Sequence, residues 1–150
     1  MSTNAIVLQT PNQAIINTDL SKIFLWDNRS QSGTFEYENT EADVTIVAGT
    51  VLGRIAATNK LAIIATGASD GSQYPVGVLM QDVEVAYLET FSGAVDFCVA
   101  GDVAQEQLAF PTGVTLATVV DGKTLFDRLG SDTVGIQLVA TTENTQYDNQ

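Results

Sequence analysis

The sequence predicts a β-rich α+β fold: one small domain with one or two short helices and an extended N-terminal arm. Three observations carry this prediction. Apolar and polar residues alternate over several short runs, as they do in strands with one buried face. A helical period is scarce. The 150 residues are the length of one ordinary domain and can bury a core without disulfides.

The first segment, residues 1–33, is predicted to be the arm. Its short apolar clusters are separated by Thr, Asn, Gln and Pro11, with no sustained period. A disordered tail is poor in aromatic and β-branched residues, whereas this segment contains both, so we expect it to dock on a partner. The candidate partner-binding residues are Ile6, Val7, Leu8, Ile15, Ile16, Phe24 and Trp26. For Phe24 and Trp26, closure of the local core is an equal alternative to an interface.

The core domain is predicted to span residues 34–140, followed by a polar tail, 141–150, that frays. Turn residues are expected to separate its strands at 58–60, in a loop at 67–73 and near Ser92 and Gly93. The predicted strands cover 34–38, 43–46, 50–55, 61–65, 74–80, 82–85, 94–99 and 134–138.

Two segments favour short helices. Residues 102–108 could form one or two turns before Pro111. Thr124 and Asp127 fit a capping box, Leu125, Phe126 and Leu129 share one helical face, and Gly130 stands at the C-cap position.

Charge and composition exclude several functions. Eighteen acidic residues against six basic ones give a net charge of −12, which disfavours nucleic acid and anionic membranes as partners. Histidine is absent, so Ser-His-Asp and Cys-His mechanisms and His-ligated metals are excluded. Cys98 is the single cysteine and is predicted to be a small core residue in a protein made in a reducing cytoplasm. We find neither a signal peptide nor an apolar run of membrane length.

The remaining motifs do not favour an enzyme or a cofactor. Residues 67–71 match the G-x-S-x-G pattern of hydrolases, but a proline-led strand follows them and no histidine base exists. Glu36 and Glu38 share a strand face at a glycosidase-like spacing, yet they form its solvent side. No calcium loop or phosphate loop is present, so we expect no cofactor.

The order of elements in the core resembles the head decoration proteins of tailed bacteriophages, the lambda D-like family. The residues that carry the resemblance are AGTVLGRI at 48–55, KL at 60–61, ASDGSQ at 68–73, PVGVL at 75–79 and DV at 82–83. The resemblance implies a small barrel-like β core without enzymatic activity. It also implies a homotrimer that clamps an expanded capsid from outside, with N-terminal arms that pair with strands of the major capsid protein.

We therefore expect a capsid decoration protein, made in the host cytoplasm and located on the exterior of the virion. An extended arm of 33 residues could reach roughly 100 Å, enough to bridge subunits. The alternative is a phage tail or fibre adhesin whose arm attaches the β core to the virion. In either case the charge of −12 is expected to keep free copies apart and soluble.

Overall fold

A computed structural model describes residues 20–130 and 134–140. It confirms the predicted fold class, with a five-stranded barrel and one short α-helix. The strands are β1 (Phe24–Glu38), β2 (Val44–Ile46), β3 (Val51–Arg54), β4 (Leu61–Ile63), β5 (Pro75–Leu79), β6 (Val83–Val85), β7 (Thr90–Ala104), β8 (Val119–Val120), β9 (Lys123–Thr124) and β10 (Gly135–Val139). The helix α1 covers Leu125–Leu129, and two 3₁₀ turns cover Leu20–Lys22 and Gln105–Gln107.

The barrel has the strand order β1-β4-β3-β5-β7 and closes where β7 pairs with β1. Closure uses the two long strands, which run antiparallel from the Phe24–Val103 pair to the Glu38–Thr90 pair. The other edge of β7 pairs first with β5 and then, farther along, with β10 in parallel. Strand β7 therefore joins the barrel to the C-terminal strand.

The core has two layers, one on each side of the barrel wall. The inner layer collects side chains from all five barrel strands: Phe35, Leu52, Leu61, Leu79, Val95 and Phe97. The outer layer packs the opposite faces of β3, β5 and β7 against α1 and β10: Val51, Val78, Cys98, Leu125, Leu129 and Ile136. Strands β3 and β5 are thus buried on both faces, which explains their continuous apolar sequences.

Cys98 is fully buried in the outer layer, which confirms its prediction as a core residue. Its neighbour Phe97 is also buried, because the two side chains point to different layers of the core. Burial raises the pKa of the Cys98 thiol.

Helix α1 begins where the capping box predicts it. The backbone N–H of Asp127 donates a hydrogen bond to Thr124 Oγ1 over 3.2 Å. Leu125 and Leu129 are buried, whereas Phe126, which was predicted to lie on the same helical face, is 46% exposed. Around the helix axis Leu125 and Leu129 are about 40° apart, whereas Phe126 lies about 100° from Leu125 and about 60° from Leu129.

Three other predictions need revision. The predicted turn at Ser92 and Gly93 lies inside β7, and the chain reverses at 86–89, where Leu88 has a φ of 61°. The predicted helix at 102–108 is reduced to the 3₁₀ turn Gln105–Gln107, because residues 102–104 pair with β10.

Residues 24–33, which we assigned to the arm, form the first part of β1 and pair with β7. Because these residues are mostly polar, they show no alternation of apolar and polar side chains that would predict a strand. The strand forms through its pairing with β7.

The tail, 141–150, and the first 19 residues of the arm lie outside the described residues. No helix in the described part of the chain has the length and apolar content needed to cross a membrane.

Candidate docking surface

Trp26 is the most exposed large apolar side chain of the described residues, at 74% exposure. It lies in an irregular part of β1, where the register against β7 shifts on both sides of Trp26 and Asp27 has a φ of 52°. Phe24, two residues earlier, is half-buried and packs on the outer core layer. The bulge therefore separates the two aromatic residues, with Phe24 on the core and Trp26 in solvent.

Two residues hold this bulge in place. Gly101 of β7 has a φ of 108°, and a β-carbon there would lie 2.5 Å from the carbonyl oxygen of Asp27. Only glycine permits this close approach of the two strands. Asn28 Nδ2 donates a hydrogen bond to the Asp102 carbonyl over 3.1 Å and lies 3.7 Å from Cys98 Sγ. The side chain of Asn28 thus ties the bulge to β7.

Two shallow depressions extend from Trp26 across β10. The first, of about 380 Å³, lies beside Trp26 and contains Asp27, Arg29 and Asp102. The second, of about 510 Å³, lies beside Phe126. Both are lined by Gly135 and Gln137, so they adjoin one another. We call the area formed by Trp26, β10 and Phe126 the Trp26–Phe126 surface.

Strand β10 contributes a backbone edge to this surface. It pairs with β7 on one side, and no other strand of residues 20–130 and 134–140 pairs with it. An edge of this kind can accept an added strand through main-chain hydrogen bonds. The Trp26–Phe126 surface thus combines two exposed aromatic side chains with a strand edge, which are features of a protein-binding surface.

A family model of the bacteriophage lambda head decoration protein D matches residues 30–123, more than half of the chain. The chain belongs to this family. The match confirms the resemblance predicted from residues 48–83, and it extends from β1 to β9. None of the curated proteins matches the chain.

Membership in the head decoration family supports a structural role in the phage capsid and a place on the exterior of the virion. The matched residues include most of the barrel, whereas Trp26, Phe126 and β10 lie outside them. The Trp26–Phe126 surface therefore lies outside the matched residues.

The sequence motifs considered for catalysis have structural roles in this decoration protein. The loop at 67–71 leads into β5 and not into the helix that a nucleophile elbow requires. In that loop, Asp70 accepts hydrogen bonds from the Ser72 hydroxyl and N–H, which lower the pKa of Asp70. Glu36 forms a half-buried ion pair with Lys60, with 3.4 Å between Oε2 and Nζ. Within the described ranges, no cluster of acidic or cysteine side chains could hold a metal ion.

Of the seven predicted binding residues of this decoration protein, two lie within the described residues. Trp26 is exposed, and Phe24 is packed on the core. The other five lie outside the described residues: Ile6, Val7, Leu8, Ile15 and Ile16. Sequence reasoning missed Phe126 and the edge of β10. The exposure of Phe126 could have been predicted, because Leu125 and Leu129 form an i, i+4 pair on one side of the helix and position 126 lies outside that pair.

Proposed function

We propose that this chain is a capsid decoration, or cement, protein that binds the exterior of an expanded phage head as a homotrimer and stabilises the shell. Its N-terminal arm pairs with strands of the major capsid protein. The observation that carries this proposal is the match of the head decoration family across the barrel.

Stabilisation follows from binding alone. A protein that binds the expanded shell and not the disrupted one shifts the equilibrium toward the intact shell by mass action. If one trimer presents three arms, the second and third arms bind at a high effective concentration, which slows dissociation. No catalytic group is required.

The Trp26–Phe126 surface supplies a second contact for the same partner. With residues 24–33 assigned to β1, the arm ends at residue 23, so Trp26 closely follows the arm in the chain. A coat-protein segment that pairs with the arm can therefore also reach this surface. An exposed tryptophan is a residue type that often dominates the free energy of protein binding.

The function is tested by adding the purified protein to expanded phage heads that lack it. We expect saturable binding and a higher melting temperature of the heads, and native mass measurement is expected to give a trimer. Absence of saturable binding, or binding to tails in place of heads, would contradict the proposal.

Arm pairing predicts a strong effect of proline. Val7→Pro removes a backbone N–H that an added strand needs, so we expect head binding to weaken by about three- to tenfold, the value of one or two hydrogen bonds. Val7→Thr keeps the N–H and the β-branch and is expected to bind like the parent. The measurement is a binding isotherm on expanded heads. Equal affinity of the two variants would exclude strand pairing at Val7.

Trp26→Ala is expected to weaken head binding by about thirtyfold, corresponding to about 2 kcal/mol, without lowering the stability of the free protein. Truncation removes an exposed ring, so the core is unchanged. The matched control is Tyr87→Ala, which removes a 58% exposed ring from the turn between β6 and β7. Native mass measurement of Trp26→Ala shows whether the trimer persists. A loss of trimer would assign Trp26 to the subunit contact instead.

A further inference from the structure

An open apolar groove of about 520 Å³ lies between β2, β4 and the segment 109–111. Its walls include the half-buried side chains of Tyr37, Ile63 and Phe110, and its rim includes Val47, which is 39% exposed. None of the residues that line it is charged. In a chain with a net charge of −12, such a groove favours an uncharged, apolar occupant.

Ile23, near the N-terminal end of the described residues, lies beside this groove. Ile23 is buried, and its Cδ1 lies 3.6 Å from the place where a β-carbon on Gly49 would be. Gly49 precedes Thr50, which lines the groove. The N–H of Ala109, another lining residue, donates a hydrogen bond of 2.9 Å to the carbonyl of Gly49. Residues upstream of Ile23 therefore start next to the groove.

The first 18 residues fit the groove in composition and length. They contain no charged side chain. The nearest apolar pair upstream of Ile23 is Ile15 and Ile16, and six residues lie between Ile16 and Ile23. Leu20–Lys22 form a 3₁₀ turn, and the four Cα–Cα steps from Ile16 to Leu20 span up to about 14 Å when extended, which lets Ile16 reach a site adjoining Ile23.

We propose that Ile15 and Ile16 occupy this groove of their own chain when the protein is free of the capsid. Their burial covers an apolar surface that would otherwise face water. It also fixes the base of the arm and leaves Ile6, Val7 and Leu8 beyond the groove. An arm held at its base loses less conformational freedom when its tip binds a partner. This inference concerns the free protein and goes beyond the proposed capsid role.

The test is disulfide formation in the full chain under mild oxidation, with Ile15→Cys combined with Val47→Cys. We expect a bond within one chain, formed about tenfold faster than in the control that combines Ile15→Cys with Val119→Cys. Val119 is a matched control because it is an exposed valine, at 60%, and does not line the groove. The native Cys98 is fully buried and is left unchanged.

Other products would overturn the proposal. A bond between two chains would assign the groove to a second copy. Equal rates of disulfide formation in the two pairs would show that Ile15 does not occupy the groove. If Val7→Cys forms the disulfide with Val47→Cys faster than Ile15→Cys does, the groove binds the tip of the arm instead. Because no capsid is present, failure here leaves the capsid role intact, and failure of head binding leaves this result intact.

A second measurement avoids any dependence on disulfide geometry. An environment-sensitive dye on Ile15→Cys is expected to emit at longer wavelength when Val47→Asp places a charge at the rim of the groove. Val119→Asp is expected to leave the emission unchanged. Identical emission in the two variants would contradict occupancy of the groove by Ile15.

Discussion

Phe97→Ala is expected to lower the free energy of unfolding by about 3–5 kcal/mol, the range for truncating a buried phenylalanine. Phe97 is 1% exposed and lies in the inner core layer, to which all five barrel strands contribute. It sits opposite Leu79 in the pairing of β7 with β5 and opposite Gln31 in the pairing with β1. A cavity at this position weakens the contacts that close the barrel.

The measurement is the midpoint of urea denaturation at fixed protein concentration, since association contributes to the stability of an oligomer. Phe126→Ala is the matched control, because that ring is 46% exposed and lies outside the barrel. We expect it to cost less than about 1 kcal/mol. If the two variants lose the same stability, the inner layer is not the main source of the stability of the fold.

Much of the barrel could be predicted from the sequence, because strands with one solvent face carry a period of two. The alternation at Val95, Asp96 and Phe97 is of this kind, and the structure buries, exposes and buries these residues in turn. The capping residue Thr124 is equally local, since its partner is three residues away. Patterns that act over a few residues were therefore sufficient for these elements.

The first half of β1 could not be predicted for a physical reason. Residues 27–33 are mostly polar, with a glycine, and they form a strand because β7 supplies backbone partners about 70 positions away. Long-range pairing of this kind leaves no periodic pattern in the sequence. The sequence predicted that Cys98 is buried but not the outer layer around it, because that layer also contains residues from α1 and β10, far along the chain.

The candidate docking surface also combines local and long-range features. The sequence predicts either an interface residue or a core residue at Trp26. Its exposure depends on the bulge, which in turn depends on Asn28 and on Gly101. The exposure of Trp26 thus depends on both β1 and β7, so the sequence of β1 alone does not predict it.

Gly101→Ala tests this dependence and is expected to lower the free energy of unfolding by about 2–5 kcal/mol. At a φ of 108° alanine is strained, and its β-carbon would lie 2.5 Å from the Asp27 carbonyl oxygen and 2.7 Å from the Asn28 Cα. Both contacts are backbone atoms, so β1 must move away from β7. The bulge that holds Trp26 in solvent moves with it.

Two readouts separate the effects of Gly101→Ala. Urea denaturation gives the loss of stability, and head binding under conditions where the variant remains folded gives the effect on the docking surface. Gly67→Ala is the control, because a β-carbon there meets nothing within 4 Å and the glycine has no positive φ. We expect the control to match the parent in both measurements. Gly101→Ala with lowered stability and unchanged head binding would show that the bulge geometry does not contribute to docking, since the strands would have separated without a change in affinity.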